Sequence, residues 1–481
     1  LSFKRRFDAV KNFIAGQWVE KAKKIEVRNP FDNSVIDTVP RADAGDLEKA
    51  LAFAERGAKV MAKLSAYERW KILRKAADSI AARIDEFGQT ISREEGKIIA
   101  EGRGEASRAV ETMMGSAEEA KRLQGETVPL DADPTGSKKL GFTLRVPCGV
   151  VAAIAPFNFP LNLVCHKVGP ALAAGNTVIV KPASDTPLSA IKLTEVLLEA
   201  GLPAEGIQCI TGSGGEVGDA LVADRRVRKV TFTGSREVGD RICRTAGIKK
   251  VTMELGSNSP VIIMPDADLE KVAAVLAVTG YGNAGQTCIS TQRVLTAKKI
   301  YGDFLGALKP KVEALTTGNQ LDEKSKVGPM VKESEAARVD DWISEAVGGG
   351  ARLVAGGGRR GAIYFPAVVA DVHPDMRISR DELFGPAVAL TPFENIDEAI
   401  ALANDSVYGL AAGIFTENVE WAMKFAREAE AGNLHVNWGS QWRVDLMPYG
   451  GLKDSGFGKE GPKYAVNEMS ELKMVVFHLN A

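Results

Sequence analysis

Cys288 follows a run of small and polar residues in the stretch NAGQTCIS, residues 283–290. A buried cysteine usually sits among apolar neighbours and behaves as a small hydrophobe; these neighbours are not apolar. A thiolate here would be a nucleophile, and a thiol needs an acidifying or deprotonating group beside it. The local sequence supplies no histidine. Two readings stay open, a packed thiol at a turn and a nucleophile. Glu254, in MELGSNSP, closes an apolar strand just before a glycine turn. It reads either as a base at the carboxyl edge of a sheet or as an N-cap or salt-bridge partner.

Two glycine-rich stretches test for phosphate binding. GSGGEVG (212–218) has Gly212 and Gly214, but Val217 stands where the third glycine of GxGxxG belongs, so the usual dinucleotide fingerprint fails. FTGSREVG (232–239) follows the strand RKVTF and opens a helix. Gly234 and Ser235 then lie at a helix N-terminus, where free N–H groups favour an anion. Glycine between a strand and a helix is more often only a turn. Five cysteines at wide spacing argue against a disulfide framework and for a reducing, cytoplasmic setting. The four histidines are scattered and no Cys/His cluster offers a metal site.

The elements that must position these residues follow from length and rhythm. A chain of 481 residues implies two or three domains. Its 45% apolar and 26% charged content is that of a soluble globular protein. A net charge of −1 points to no nucleic acid and no acidic membrane partner. No apolar run is long enough to span a bilayer, and the basic N-terminus LSFKRRFDAVKNF lacks the apolar core of a signal peptide. Residues 45–123 read as helices. Residues 126–147 read as an extended arm or hairpin suited to pairing with another subunit. From residue 149, GVVAAIA, TVIV, IQCIT and RKVTF alternate with helical stretches, which implies a parallel sheet covered on both faces. A second alternating region runs from 251 to about 440, and the last segment ends in a strand. The glycine-rich 348–361 reads as a turn.

PFNFP (156–160), KPAS (181–184), FTGS (232–235), ELGSNSP (254–260), GQTC (285–288), ELFGP (382–386) and PYGGLKDSGFGKEG (448–461) occur in this order. Together they resemble the aldehyde dehydrogenase superfamily over nearly the whole chain. The pattern is similar to the branch of lactaldehyde and non-phosphorylating glyceraldehyde-3-phosphate dehydrogenases. The resemblance implies an α/β fold: a Rossmann-type parallel-sheet cofactor domain (1–126 and 146–257), an α/β catalytic domain (258–462), and a β oligomerisation arm (127–145 and 463–481). A homodimer or homotetramer is expected, since a lone β arm leaves an unpaired edge.

By the same resemblance Cys288 attacks the aldehyde carbonyl, Asn158 and the cysteine N–H hold the oxyanion, and Glu254 activates the water that hydrolyses the thioester. Lys181 and Ser184 match adenosine-ribose positions, Gly234 and Ser235 the pyrophosphate side, and Glu382 with Phe384 the nicotinamide ribose. Ile154, Pro156, Phe157, Gly214, Gly218, Phe232 and Leu255 complete the expected NAD or NADP site. NAD-specific members often have Glu where this chain has Ser184, so NADP acceptance is expected, with Lys181 available to a 2′-phosphate. For the substrate, Asn162, His166 and Arg443 point to a small polar or anionic aldehyde. Arg122 matches a phosphate-contacting arginine of the glyceraldehyde-3-phosphate enzymes. Those enzymes differ at Thr287 and Phe159, however, and succinic semialdehyde dehydrogenases often carry Arg at Gly282. Arg293 reads as framework. Three rivals remain. A coenzyme-A-acylating relative typically lacks the glutamate matching Glu254. A non-catalytic protein retaining the fold need not keep the catalytic residues. A Cys–His hydrolase leaves the cofactor motifs unexplained.

Overall fold

The structure is a computed structural model that describes residues 10–479. Five parallel strands centre an eight-stranded sheet. Their spatial order is Ile207–Cys209, Thr177–Lys181, Val150–Ile154, Val227–Thr233, Lys250–Glu254. Val150–Ile154 and Thr177–Lys181 are buried at every position, because helices cover both faces. Chain order runs outward from Val150–Ile154 for two strands, then returns to its other side with Val227–Thr233. Such a reversal opens a crevice beyond the carboxyl ends of the two strands that flank it.

Helices 66–81, 84–95, 99–122, 162–173 and 188–199 pack one face, around Leu73, Phe87, Val168 and Leu197. Helices 44–61 and 236–246 cover the other, around Leu51 and Ile242. The helix Asn162–Ala173 is buried at all 12 positions, as an internal helix must be if it is apolar nearly all round. The Glu105 carboxylate caps its start, accepting from Leu161 N at 2.9 Å and Asn162 N at 3.0 Å.

A second, seven-stranded sheet has the order 352–355, 367–370, 387–393, 293–297, 260–263, 411–415, 433–436. All its pairs are parallel except the first. Residues 255–259 carry the chain from one sheet to the other. The chain later returns: Gly456–Phe457 pairs antiparallel with Met253–Glu254 of the first sheet, and the helix Pro462–Glu468 packs on helices 99–122 and 162–173. The glycine-rich 348–361 ends a helix at Gly348 and enters a short hairpin, 359–360 with 363–364.

The arm is a three-stranded ribbon. Ser470–His478 pairs with Lys139–Pro147 along its whole length, and Thr127–Val128 flanks it. Leu140, Leu144, Leu472, Met474 and Phe477 are exposed on it. Among the described residues no helix is long and apolar enough to cross a membrane, and no His, Cys, Asp or Glu cluster is placed to hold a metal ion. The basic stretch at residues 1–9 lies outside the described residues.

Candidate active site

A cavity of about 640 Å³ opens at the strand reversal. Ile154, Pro156 and Phe157 run off the end of Val150–Ile154 into its wall, and Phe232, Gly234 and Ser235 run off the neighbouring strand. Ser235 caps the helix Arg236–Ala246, its hydroxyl accepting from Val238 N at 3.4 Å. Lys181, Gly214 and Gly218 form one side, and Leu255, Glu382 and Phe384 the other. Phe384 meets Phe157 edge-on at 5.9 Å.

Lys181 is 6% exposed. Its ammonium donates to the Pro182 carbonyl at 3.2 Å, and among the described residues it forms no ion pair. Burial pulls it down to about 8, the state of a cation short of an anion. Glu382 accepts from Ser257 N at 2.8 Å, and burial pushes its carboxyl up to about 7. A Cβ on residue 256 would sit 2.5 Å from Glu382 Oε2, so Gly256 makes room for that carboxylate. Ser184 instead donates its hydroxyl to the Gly212 carbonyl at 3.2 Å, and Ala183 borders the cavity in its place.

The Cys288 loop follows the helix Leu269–Thr279. Asn283, Ala284 and Gly285 take left-handed φ values of 52°, 52° and 70° in succession. For a residue like Ala284 that costs about 1–2 kcal/mol, and a Cβ on Gly285 would run into the Gly385 carbonyl. The surroundings over-determine the loop. Glu101 accepts from Asn283 N at 3.1 Å, the Asn283 amide donates to the Asn158 carbonyl at 3.2 Å, and Gln286 Oε1 accepts from Val331 N at 2.9 Å. Asn158 Nδ2 donates to the Gln286 carbonyl at 2.8 Å. Beneath it, buried Lys97 donates to the Asn158 carbonyl at 2.8 Å and pairs with Glu105 at 2.6 Å. These bonds hold the Cys288 loop against the segment that carries Asn158.

Cys288 Sγ lies 3.0 Å from the Tyr449 hydroxyl. Burial pushes the thiol up to about 12, with the Tyr449 hydrogen bond working the other way and Glu382 and Glu254 adding to the rise. Glu254 is buried with both carboxylate oxygens lacking a hydrogen-bond partner. Burial, reinforced by Glu460, holds its carboxyl well above the usual range. It forms neither an N-cap nor a salt bridge among the described residues. An unpartnered buried carboxyl retains its full proton affinity, which suits a base.

A second cavity, about 520 Å³, also reaches Cys288. Asn162, Arg443, Arg108, Phe159, Trp442 and Tyr449 line it. Asn162 accepts from Thr112 Oγ1 at 2.8 Å. His166 lies one helical turn deeper, 1% exposed, behind Arg443 rather than on the wall. Its Nε2 is 2.8 Å from Asp445 Oδ1, and Arg443 Nη2 donates to the ring. Burial, with Arg443 adding to it, pulls the imidazole down, against Asp445 and Glu460, which favour its charged form. Arg443 also pairs with Glu460 at 3.0 Å, and Glu460 with Lys167 at 3.1 Å. Lys167 donates to Thr233 at 2.6 Å, on the wall of the first cavity. Burial opposes ionisation of Glu460, but Lys167 and Arg443 overcome it and hold it at about 2.

Arg122 corrects the sequence reading. It ends the helix Ile99–Arg122, 62% exposed, pairs with Glu119 at 3.1 Å, and lines neither cavity. The arginine of this helix that lines the second cavity is Arg108, 14 residues or about 21 Å nearer the helix start. Arg108 forms a two-point pair with Asp445, at 2.8 and 3.1 Å. Sequence reasoning missed Arg108, Asp445 and Tyr449. The signal for Arg108 was present: Glu101, Glu105 and Arg108 fall at i, i+4 and i+7, one helical stripe.

A doubly covered parallel sheet has a crevice at its reversal, and a second cavity meets that crevice at one cysteine, the arrangement of an α/β enzyme site. The sequence profile of the aldehyde dehydrogenase family matches residues 18–475, and the chain belongs to that family. It is 49% identical over 467 residues to the 3-sulfolactaldehyde dehydrogenase of Priestia aryabhattai, covering 97% of this chain and 98% of that one. Among solved structures, aldehyde dehydrogenase 21 from Physcomitrella patens, in complex with the reaction product succinate, superimposes with TM-score 0.95 at 38% identity, covering 98% of each chain. The glyceraldehyde-3-phosphate dehydrogenase GapN from Methanocaldococcus jannaschii, complexed with NADP, gives TM-score 0.92 at 35% identity, covering 95% of this chain and 100% of that one.

Proposed function

We propose that this aldehyde dehydrogenase oxidises a short aldehyde with a polar or anionic tail to its carboxylic acid. The observation that carries the reading is that Cys288 is shared by the two cavities. The first fits a dinucleotide: Lys181 lacks an anion, the Arg236–Ala246 helix opens at Gly234 and Ser235, and Glu382 is in place for ribose hydroxyls. When bound, the dinucleotide supplies the acceptor for the hydride leaving the substrate carbon.

The chain's own residues do the rest. The Cys288 thiolate, its proton released to solvent, attacks the carbonyl carbon and the π pair moves to oxygen; when that pair re-forms the carbonyl, hydride leaves the carbon and a thioester remains. One N–H of Asn158 already donates to the Gln286 carbonyl; its other N–H and the Cys288 backbone N–H receive the oxyanion. Once the thioester has formed, Glu254 takes a proton from water, which attacks the acyl carbon. The C–S bond then breaks and the acid departs. A buried unpartnered carboxyl group close enough to act on the thiol favours water over a second thiol as acyl acceptor.

Arg108 and Arg443 bring two guanidinium groups to the second cavity, alongside Lys97, Glu101 and Glu105, and Asn162 adds an amide. The names of the relatives, sulfolactaldehyde on one and succinate on another, agree with an acidic tail. NADP acceptance rests on Lys181, which no carboxylate claims. The exposed apolar ribbon supports assembly into a dimer or tetramer, and five free thiols suit a reducing, cytoplasmic setting. The cofactor part is residues 1–126 and 146–257, the catalytic part 258–462, and the arm 127–145 with 463–481.

The test is a panel of lactaldehyde, glycolaldehyde, and phosphorylated, sulfonated and dicarboxylic semialdehydes against propanal, run with both cofactors. Acidic short aldehydes are expected to exceed propanal in kcat/KM by about a hundredfold. Arg108→Ala should raise KM for them by about thirtyfold, with Arg122→Ala neutral. Equal kcat/KM across the panel would refute the anionic reading.

A further inference from the structure

We propose that Tyr449 is a catalytic residue: its phenol donates a hydrogen bond to the Cys288 thiolate, and the Arg443 cation on its ring strengthens that donor. The proposal rests on reading Cys288 as the nucleophile.

The geometry leaves the phenol one task. Tyr449 is 2% exposed, and its hydroxyl lies 3.0 Å from Cys288 Sγ, its one recorded polar partner among the described residues. Its backbone is fixed by exchange with Glu460, Tyr449 N donating at 3.3 Å and Glu460 N returning the bond at 2.8 Å. The Arg443 guanidinium lies 3.9 Å from the ring centroid, and Glu460 at 3.0 Å and His166 hold it there. A cation over a phenol ring draws electron density from the oxygen and makes O–H the better donor.

The thiol needs that help. Two carboxyl groups, Glu254 and Glu382, act on Cys288 and disfavour the thiolate. No imidazole lines either cavity. The groups acting in the thiolate's favour are the Tyr449 hydroxyl and, behind its ring, Arg443. A hydrogen bond to an ionised group is about twice as strong as one between neutral groups. As the C–S bond forms, negative charge leaves sulfur for the carbonyl oxygen and the phenol's grip relaxes. When the thioester hydrolyses, sulfur regains that charge and the same O–H receives it. Tyr449 therefore serves both ends of the cycle.

The test is the pH profile of Cys288 alkylation by iodoacetamide in the intact enzyme, with the modified peptide identified by mass spectrometry. Removing one charge-assisted hydrogen bond in Tyr449→Phe should raise the midpoint by about one pH unit, so alkylation below both midpoints slows about tenfold. If Tyr449→Phe does not fold, 3-fluorotyrosine at position 449, a more acidic phenol of nearly the same size, should lower the midpoint instead. Superimposable profiles in either variant overturn the proposal, even if the aldehyde KM changes, because Tyr449 is then only a wall of the pocket. The underlying reading fails separately: if stoichiometric alkylation of Cys288 leaves aldehyde oxidation intact, Cys288 is not the nucleophile and the role of Tyr449 falls with it.

Discussion

The two cavities that meet at Cys288 are built in opposite ways. Much of the first is assembled from one continuous stretch, residues 154–255, where strand ends and a helix start supply Ile154, Lys181, Gly234 and Leu255 in chain order. The second takes Arg108 from one helix, Asn162 from another, and Arg443 and Tyr449 from the loops before and within PYGG. Asp445 ties these together, touching Arg108, His166 and Asn162. The first cavity is thus a consequence of local backbone geometry. The second exists only once distant segments have packed, so its specificity depends on partners that never touch a substrate.

The sharpest way to break this contrast is at Asp445. Although burial works against it, His166 and Arg108 hold its carboxyl far below the usual range. Asp445→Asn leaves Arg108 without its carboxylate and frees His166 and Arg443 to shift. The KM for an acidic aldehyde should change by about thirtyfold or more, while the Kd for NADP stays within twofold. Parallel losses in both would mean the two cavities are one cooperative unit.

A smaller effect isolates the first cavity. Lys181 has its ammonium pulled down to about 8 by burial. It is charged below that pH and neutral above it. The KM for NADP should rise about tenfold between pH 7 and pH 9, with NAD changing far less. Matching NAD and NADP profiles would remove Lys181 from the 2′-phosphate reading.

The smallest effect concerns the buried carboxyl at the end of the strand Lys250–Glu254. Burial raises the Glu254 carboxyl well above its unfolded value. The folded state therefore holds a proton that the unfolded state has released, and stability falls as pH rises from the unfolded value towards the folded one. Glu254→Gln removes that penalty. Its Tm at pH 8.5 should exceed that of the parent by about 2–4 °C, with little difference at pH 4.5, while thioester hydrolysis is lost. An unchanged Tm would place water or a partner on that carboxylate.

This contrast also explains how much was legible in sequence. The alternation of apolar strands and helices, and the arm at 126–147, follow from periodicity and turn residues, which act locally. Cys288 alone was ambiguous, because its neighbours serve a left-handed turn as well as they serve catalysis; the distant motifs made it readable. Among the cofactor positions Ser184 departs, since its hydroxyl closes a local bond to Gly212 instead of facing the cavity. In the sequence His166 reads as a substrate contact, but it stands behind Arg443, because depth along a fully buried helix leaves no trace in spacing. Arg122 matches a relative's arginine in sequence, but it ends its helix about 21 Å beyond Arg108 and is exposed. Gly456–Phe457 joins a sheet formed some 200 residues earlier, a pairing that no local pattern announces.

That last pairing sets a timetable. The strand bearing Glu254 keeps one edge open until Gly456 and Phe457 have been synthesised. At ordinary ribosomal speed the delay is on the order of 10–40 s. The ribbon partner of Lys139–Pro147 arrives later still, at Ser470–His478. Through that interval the nascent chain presents an unpaired edge beside an apolar core, the kind of surface that chaperones cover and aggregates exploit. Truncation near residue 455 would therefore remove more than a tail: the growing chain would stay in its most adhesive state.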